Sequence, residues 1–169
     1  MNARPIQEWR QGEYLTSTEK SRLDMDVIHR FLSKSYWAQG IPREVVEQSI
    51  EQSLPFGIYK GEQQVGFARV ITDYATFAYL GDVFVLEDYR GLGLSKWLMQ
   101  VVVEHPTLQG LRRWMLLTSD AHGLYRTVGF TGESSDLLVT PGFIAESISF
   151  VSSNHRKWPR APIIWRGLT

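Results

Sequence analysis

Two glycines one residue apart, with an arginine before them and a serine after, are the residues of this chain best suited to hold a phosphate. They lie in VFVLEDYRGLGLSKWL, residues 83–98, where an apolar run gives way to Arg90, Gly91, Leu92, Gly93, Leu94 and Ser95 and then to a helical pattern. A helix N-terminus leaves backbone N–H groups unpaired and carries partial positive charge. Glycines let the preceding loop fold back so that several of those groups converge on one point, the geometry of a phosphate or pyrophosphate nest. A P-loop needs G-x-x-x-x-G-K-[ST], a spacing this loop lacks, and a dinucleotide-binding turn needs a third glycine where this chain has Lys96. The glycine pair alone also fits an ordinary turn. Strand, arginine, loop and helix in unbroken order favour the nest.

A nest is aimed only if a buried strand delivers it and a packed helix carries the chain away. Residues 76–86, TFAYLGDVFVL, are almost continuously apolar and β-prone, which suits a central strand buried on both faces. Beyond the loop, Leu94, Trp97, Leu98, Val101 and Val102 fall at i, i+3, i+4, i+7 and i+8, an apolar helical stripe that Pro106 stops. Upstream, GEYLTST reads as a short strand. SRLDMDVIHRFLS reads as an amphipathic helix capped by Ser17 or Ser21 and broken at Gly40 and Pro42, and REVVEQSIEQS as a second, shorter one. PFGIYKGEQQVGFARVITD reads as a hairpin with strands 56–59 and 65–71 about the turn KGEQ. Downstream, RRWMLLTS is another buried strand, and DAHGLYRTVGF a short helix starting at Asp120 or Ala121 and closed by Gly129. The order of strand, two helices, three strands, helix, strand and helix predicts an α/β (α+β) class, a central mixed sheet flanked by helices.

Composition narrows the function. Lys plus Arg and Asp plus Glu number 18 each, so bulk charge recruits no polyanion and nucleic acid is not expected as a partner. No apolar run approaches the roughly 20 residues needed to cross a bilayer, and MNARPIQEWRQGEY has no apolar core of a signal peptide, so no membrane is expected and a cytoplasmic location is. With no cysteine there is no disulfide, no thiolate metal site and no thioester on the protein, and no metal is expected.

The stretch after the central strand resembles the acyl-CoA signature of the GNAT superfamily of N-acetyltransferases, [QR]-x-x-G-x-[GA]. Arg90 falls on its first position and Gly93 on its fourth; Ser95 stands on the last, where a still smaller residue is usual. LYRTVGF resembles the superfamily's Y-x-x-x-G-F element, with Tyr125, Gly129 and Phe130 in place. The resemblance spans about residues 8–130, and two motifs in the right order make it more specific than either one. It implies the GNAT-like acyl-CoA N-acyltransferase fold with acetyl-CoA as co-substrate. It further implies that Val83, Phe84 and Val85 offer backbone groups to the pantetheine arm, that the amides of Arg90, Gly91, Leu92, Gly93, Leu94 and Ser95 hold the pyrophosphate, and that Tyr125 protonates the departing thiolate. A phenol suits that last role, its acidity lying within about two pH units of a thiol's. A core tyrosine bonded to backbone is the plainer alternative.

Amine acylation also needs a neutral attacking nitrogen. Asp82, a carboxylate in an otherwise apolar strand, is the first candidate to hold the amine or take its proton; satisfaction by backbone or by an arginine such as Arg69 is the structural alternative. Asp73 is a second candidate, or a turn former, and His122 lies near Tyr125 in sequence. Tyr36 and Trp37, in SYWAQGIP, with Phe77 and Tyr79 of the central strand, are where the resemblance puts the acceptor cleft. Aromatic faces there favour a small-molecule amine, and the chain has no acidic run to draw a basic peptide.

Residues 1–140 are thus expected to form an N-acetyltransferase domain. Residues 141–169 are expected to form a divergent C-terminal segment; after Phe130, DLLVT (136–140) and SISFVSS have strand character, and NHRKWPRAPIIWRGLT is basic, aromatic and broken by proline. The expected activity is acetyl transfer from acetyl-CoA to a primary amine by direct attack in a ternary complex, the alternative being a non-catalytic acyl-CoA sensor or docking module. A homodimer is among the assemblies left open.

Overall fold

The computed structural model describes residues 4–132 and 137–140; SISFVSS and the basic end therefore lie outside the described residues. Strands β1 (Glu8–Gln11) and β2 (Tyr14–Ser17) lead into helices α1 (Met25–Leu32) and α2 (Arg43–Glu51). Then come β3 (Leu54–Lys60), β4 (Gln63–Thr72), β5 (Phe77–Val85), α3 (Leu94–Val103), β6 (Arg113–Leu117) and α4 (His122–Arg126), with β7 (Thr131–Gly132) and β8 (Leu137–Val139) closing the described part. The eight strands form one sheet in the order β1-β2-β3-β4-β5-β6-β8-β7. Every pairing is antiparallel except that of β5 with β6, so the sheet is mixed, as the order of elements predicts.

Three details differ from expectation. EWRQ, too polar to show a strand pattern, pairs with β2 as an edge hairpin. Helix α1 starts later than Ser21: Asp24 is its cap, its carboxylate accepting from the N–H groups of Asp26 and Val27 at 3.0 and 3.1 Å. Ser17 instead accepts from the Glu19 amide, at 3.1 Å.

The sheet carries two separate apolar cores. Helix α3 buries Leu94, Trp97, Leu98, Met99, Val101 and Val102 against Phe56, Ile58, Val70, Ala78, Leu80 and Val85. Helices α1 and α2 bury Ile28, Leu32, Val46 and Ile50 against Phe67 and Phe84. Strand β5 serves both, and it does so by changing phase. Phe67 pairs with Phe84 and Arg69 with Gly81, so Ala68 alone faces two residues, Asp82 and Val83. That is a β-bulge, and Asp82 sits in it with φ of 54°, left-handed for a residue that is not glycine. Before the bulge the even residues Ala78 and Leu80 face the α3 core; after it the odd residue Val85 does.

β5 and β6 are hydrogen-bonded at only three positions, residues 77–79 with 113–115. β5 continues to Val85 and β6 to Leu117 with no strand between them among the described residues, so the sheet forks. The centre of β5 is therefore open rather than buried on both faces: Tyr79, Gly81, Asp82 and Val83 are only half-buried.

Candidate active site

The fork opens into a cleft of about 1300 Å³. Its walls are β5 from Tyr79 to the turn after it, α1 with the loop that follows, and the end of β6 with the start of α4. Tyr125, Asp82, Val83, Phe84, Val85, Arg90, Ser95, Tyr36, Trp37 and Tyr79 all line it. Gly91, Leu92, Gly93 and Leu94 lie in the connecting loop and helix start and do not reach the cleft wall. Phe77 does not line it either. It stands two residues before Tyr79, about 7 Å further up the strand, where β5 is still closed by β6.

Leu86 donates its N–H to the Val65 carbonyl at 2.8 Å, so the even residues Phe84 and Leu86 turn their backbone groups toward β4. Period-two alternation then turns those of Val83 and Val85 toward the open edge. The Val85 carbonyl accepts from Arg90 Nε at 3.2 Å, which fixes the arginine and the start of the loop against that edge. Of the three strand residues expected to offer backbone groups to a pantetheine arm, Val83 and Val85 point theirs to the open edge. The third, Phe84, contributes its ring, stacked on Phe31 at 3.9 Å and 11°.

The loop turns through Gly91 and Gly93, each at φ of 77°, a conformation that costs other residues about 1–2 kcal/mol. Gly93 is also the cap of α3 and supplies no side chain to its first turn, whereas α1 has Asp24 in that position. A Cβ on either glycine would meet nothing within 4 Å, so the backbone angle, not crowding by the protein, is what requires glycine here.

Tyr125, on α4, is 7% exposed and packs edge-on to Phe130 at 6.1 Å. Its hydroxyl makes no hydrogen bond among the described residues. Burial, and then the charge of Asp120, push the phenol above its ordinary pKa, so it stays protonated through neutral pH. Burial and then Asp82 act the same way on Tyr79.

Asp82 Oδ2 accepts from Arg69 Nε at 2.5 Å, and both side chains are largely buried, at 14% and 17% exposure. The arginine anticipated as a structural partner is thus present, and the pair faces the cleft. Asp73 is spent on its turn. Its carboxylate accepts from the Thr76 hydroxyl and from the amides of Thr76, Ala75 and Phe77, which hold it well below the usual carboxylate range. It is no proton acceptor at neutral pH. His122 opens α4 and does not line the cleft.

Tyr36 and Trp37 stand edge to face at 4.9 Å, and Trp37 also approaches Phe31 at 6.3 Å. The Tyr36 hydroxyl donates to Asp120 Oδ1 and accepts from the Ser119 amide, both at 3.4 Å, tying the loop after α1 to the loop after β6. Residues 118–120, Phe31, Arg30 and Lys34 were not singled out by sequence. The helical register held a signal for some of them. Val27, Phe31 and Lys34 follow one another at one-turn spacing, along the edge of the α1 stripe.

Residues 25–130 match the acetyltransferase (GNAT) family model. The chain belongs to the GNAT acetyltransferase family. It is 34% identical over 148 residues, 74% of this chain and 82% of the other, to a protein of Gibberella zeae assigned as an acetyltransferase. A GNAT-family crystal structure from Xanthomonas campestris pv. campestris is 50% identical, with a TM-score of 0.69 over 83% of this chain and 93% of that one. A GNAT acetyltransferase from Elizabethkingia anophelis, solved with acetyl-CoA bound, is 11% identical with a TM-score of 0.59 over 78% of this chain and 99% of that one, a likeness of fold alone. As a GNAT protein the chain is an acetyl-CoA-dependent N-acetyltransferase. None of the helices among the described residues is long and apolar enough to cross a membrane.

Proposed function

We propose that the chain transfers the acetyl group of acetyl-CoA to a primary amine of a small molecule, by direct attack while both substrates are bound. The observation that carries this reading is the fork of β5 from β6, which joins the Arg90 loop, the open strand edge, Tyr125, Asp82 and the aromatic wall in one cleft. The residues fit the co-substrate. Two glycines in left-handed conformation, with open space beside them, precede a helix start that no side chain caps, which suits a pyrophosphate. The edge groups of Val83 and Val85 suit an extended, amide-bearing arm. The acetyl-CoA bound to the Elizabethkingia anophelis protein, which shares the fold, supports the same assignment.

In the reaction, the amine nitrogen forms a bond to the thioester carbonyl carbon and the carbon–sulfur bond breaks. The nitrogen loses a proton, and the leaving sulfur gains one. Tyr125 is the donor to sulfur: it is protonated at neutral pH and its hydroxyl is uncommitted. Its raised pKa makes it a weaker acid than an exposed phenol, so the transfer must follow charge build-up on sulfur rather than precede it. Asp82 receives the proton of the incoming amine or holds the ammonium until water takes it. With no cysteine in the chain, no thiolate is present to carry the acetyl group between the two substrates. The test is release of free CoA in the presence of a broad panel of small amines and, separately, a lysine-rich peptide. Turnover of small amines is expected. Efficient acetylation of the peptide with none of the small amines would refute the proposed acceptor class.

A further inference from the structure

The pair formed by Arg69 and Asp82 is built unlike a structural ion pair. A buried pair that serves only stability uses up its donors and acceptors, because each one left over costs desolvation. Here a single bond, Nε to Oδ2, joins the two groups. Among the described residues both Nη nitrogens of Arg69 and the Oδ1 of Asp82 carry no hydrogen bond, and all belong to side chains that line the cleft. Asp82 is held in place by a bulge that puts a non-glycine residue at φ of 54°, the kind of backbone cost that persists where a side chain must be aimed. The pair thus offers, a few ångströms apart, a spare anion acceptor site and a spare cationic fork.

Two more cations stand nearby. Arg30 and Lys34 lie one turn apart on and just after α1; both line the cleft, and neither has an ion-pair partner among the described residues. Four cations and three carboxylates line the cleft; Arg90 stands on the co-substrate loop, bonded to the Val85 carbonyl, and Asp120 accepts from Tyr36, which leaves Arg69, Arg30 and Lys34 as cations for which a bare amine has no use. We infer that the acceptor is an amine that also carries an anionic group, a carboxylate or a phosphate, a few bonds from its nitrogen: Arg69 takes the anion, Asp82 the nitrogen, and the ring wall of Phe31, Trp37 and Tyr36 the remainder. An arginine fork matches either anion in two-point geometry. Arg30 and Lys34 draw the anion toward the cleft mouth. The inference rests on the small-amine reading above and sharpens it to zwitterionic acceptors.

The experiment uses the full chain and matched trios of compounds with one side chain each: an α-amino acid, the amine left when its carboxylate is removed, and the α-aminophosphonate. Acceptor binding is measured by calorimetry with CoA present, and turnover by free thiol release. The anion-bearing members are expected to bind about 30-fold tighter than the bare amine, about 2 kcal/mol at 1.36 kcal/mol per factor of ten. The better of the two anionic members identifies the anion. Arg69→Lys keeps the charge and loses the fork, and is expected to cut that margin to about threefold. Equal binding and turnover of bare and anion-bearing amines, or a margin that survives Arg69→Lys intact, would overturn the inference while leaving the proposed function standing. Binding of CoA with no turnover of any member of any trio would overturn the inference, and silence of the broad amine panel as well would overturn both.

Discussion

Tyr125→Phe is the substitution that most sharply separates chemistry from packing. The ring is buried and rests edge-on against Phe130 at 6.1 Å, so the phenylalanine fills the same space. The lost hydroxyl has no hydrogen-bond partner among the described residues, so its removal strands no other polar group, and the change in stability should stay within about 0.5 kcal/mol. CoA binding, which draws on the Arg90 loop and the β5 edge, should be nearly unchanged. A positioned proton donor contributes 10²–10⁴-fold, and the raised pKa of this phenol puts it toward the low end. Turnover should therefore fall by about 10²-fold, or about 2.7 kcal/mol of barrier. The assay is single-turnover acetyl transfer with CoA and amine both saturating, so that product release cannot mask the step, with melting temperature recorded alongside. An unchanged single-turnover rate would make Tyr125 a packing residue and refute the assignment. A loss of rate matched by a loss of stability would refute the claim that the hydroxyl is free.

Gly93→Ala should destabilise the chain by about 1–2 kcal/mol through backbone angle alone, since its Cβ has open space, and should weaken CoA binding as the loop relaxes; calorimetry and thermal melts check both. His105 is buried between Trp9 and Phe56, accepts from the Thr107 amide through Nδ1, and leaves Nε2 without a partner among the described residues. Burial lowers its pKa, so the unfolded chain binds the proton first and stability should fall as pH drops below about 6.5, by at most about 1.4 kcal/mol per pH unit, until the folded form also titrates. His105→Asn should flatten that part of the melting-temperature profile between pH 6.5 and 5; an unchanged profile would mean that another group governs it.

The parts of the fold that were legible in the sequence are those where one residue pattern answers to one force. Leu94, Trp97, Leu98, Val101 and Val102 repeat at helical spacing because one face of α3 meets the sheet, and the stripe marks the helix to within a residue. The turn at the glycine pair was legible because few other residues occupy φ of 77° at low cost. Asp24 was missed as a cap because Ser17 and Ser21 are equally good cap residues, and only the start of α1 decides among them. Strand β1 was missed because Trp9 alone of its four residues packs inward, too little to make a pattern, and its pairing comes from β2. Phe77, put with Tyr79 at the acceptor cleft by the resemblance, lies off the cleft wall because β5 is still paired with β6 at that point, and a sequence does not show how far along a strand the neighbouring strand stays paired. The link of Tyr36 to Asp120 joins residues 84 positions apart and leaves no trace in local spacing. The spare bonding capacity of Arg69 and Asp82 is a property of what does not surround them, which a sequence does not list.

The extra residue at the Asp82 bulge has one more consequence, for how the chain can change over time. Strand β5 is written in two reading frames, even residues toward α3 before the bulge and odd residues after it, with Phe84 in one core and Val85 in the other. Removing one residue at position 82 or 83 would leave a single residue opposite Ala68 and restore regular alternation, with Phe84 still opposite Phe67 and Val85 still opposite Gly66, each in its own core, and only the left-handed position that aims Asp82 would be lost. Substitutions can drift through this strand one side chain at a time. A loss of one residue at the bulge can be absorbed as well, and the step in the strand that aims Asp82 is therefore separable from the packing of both halves of the protein.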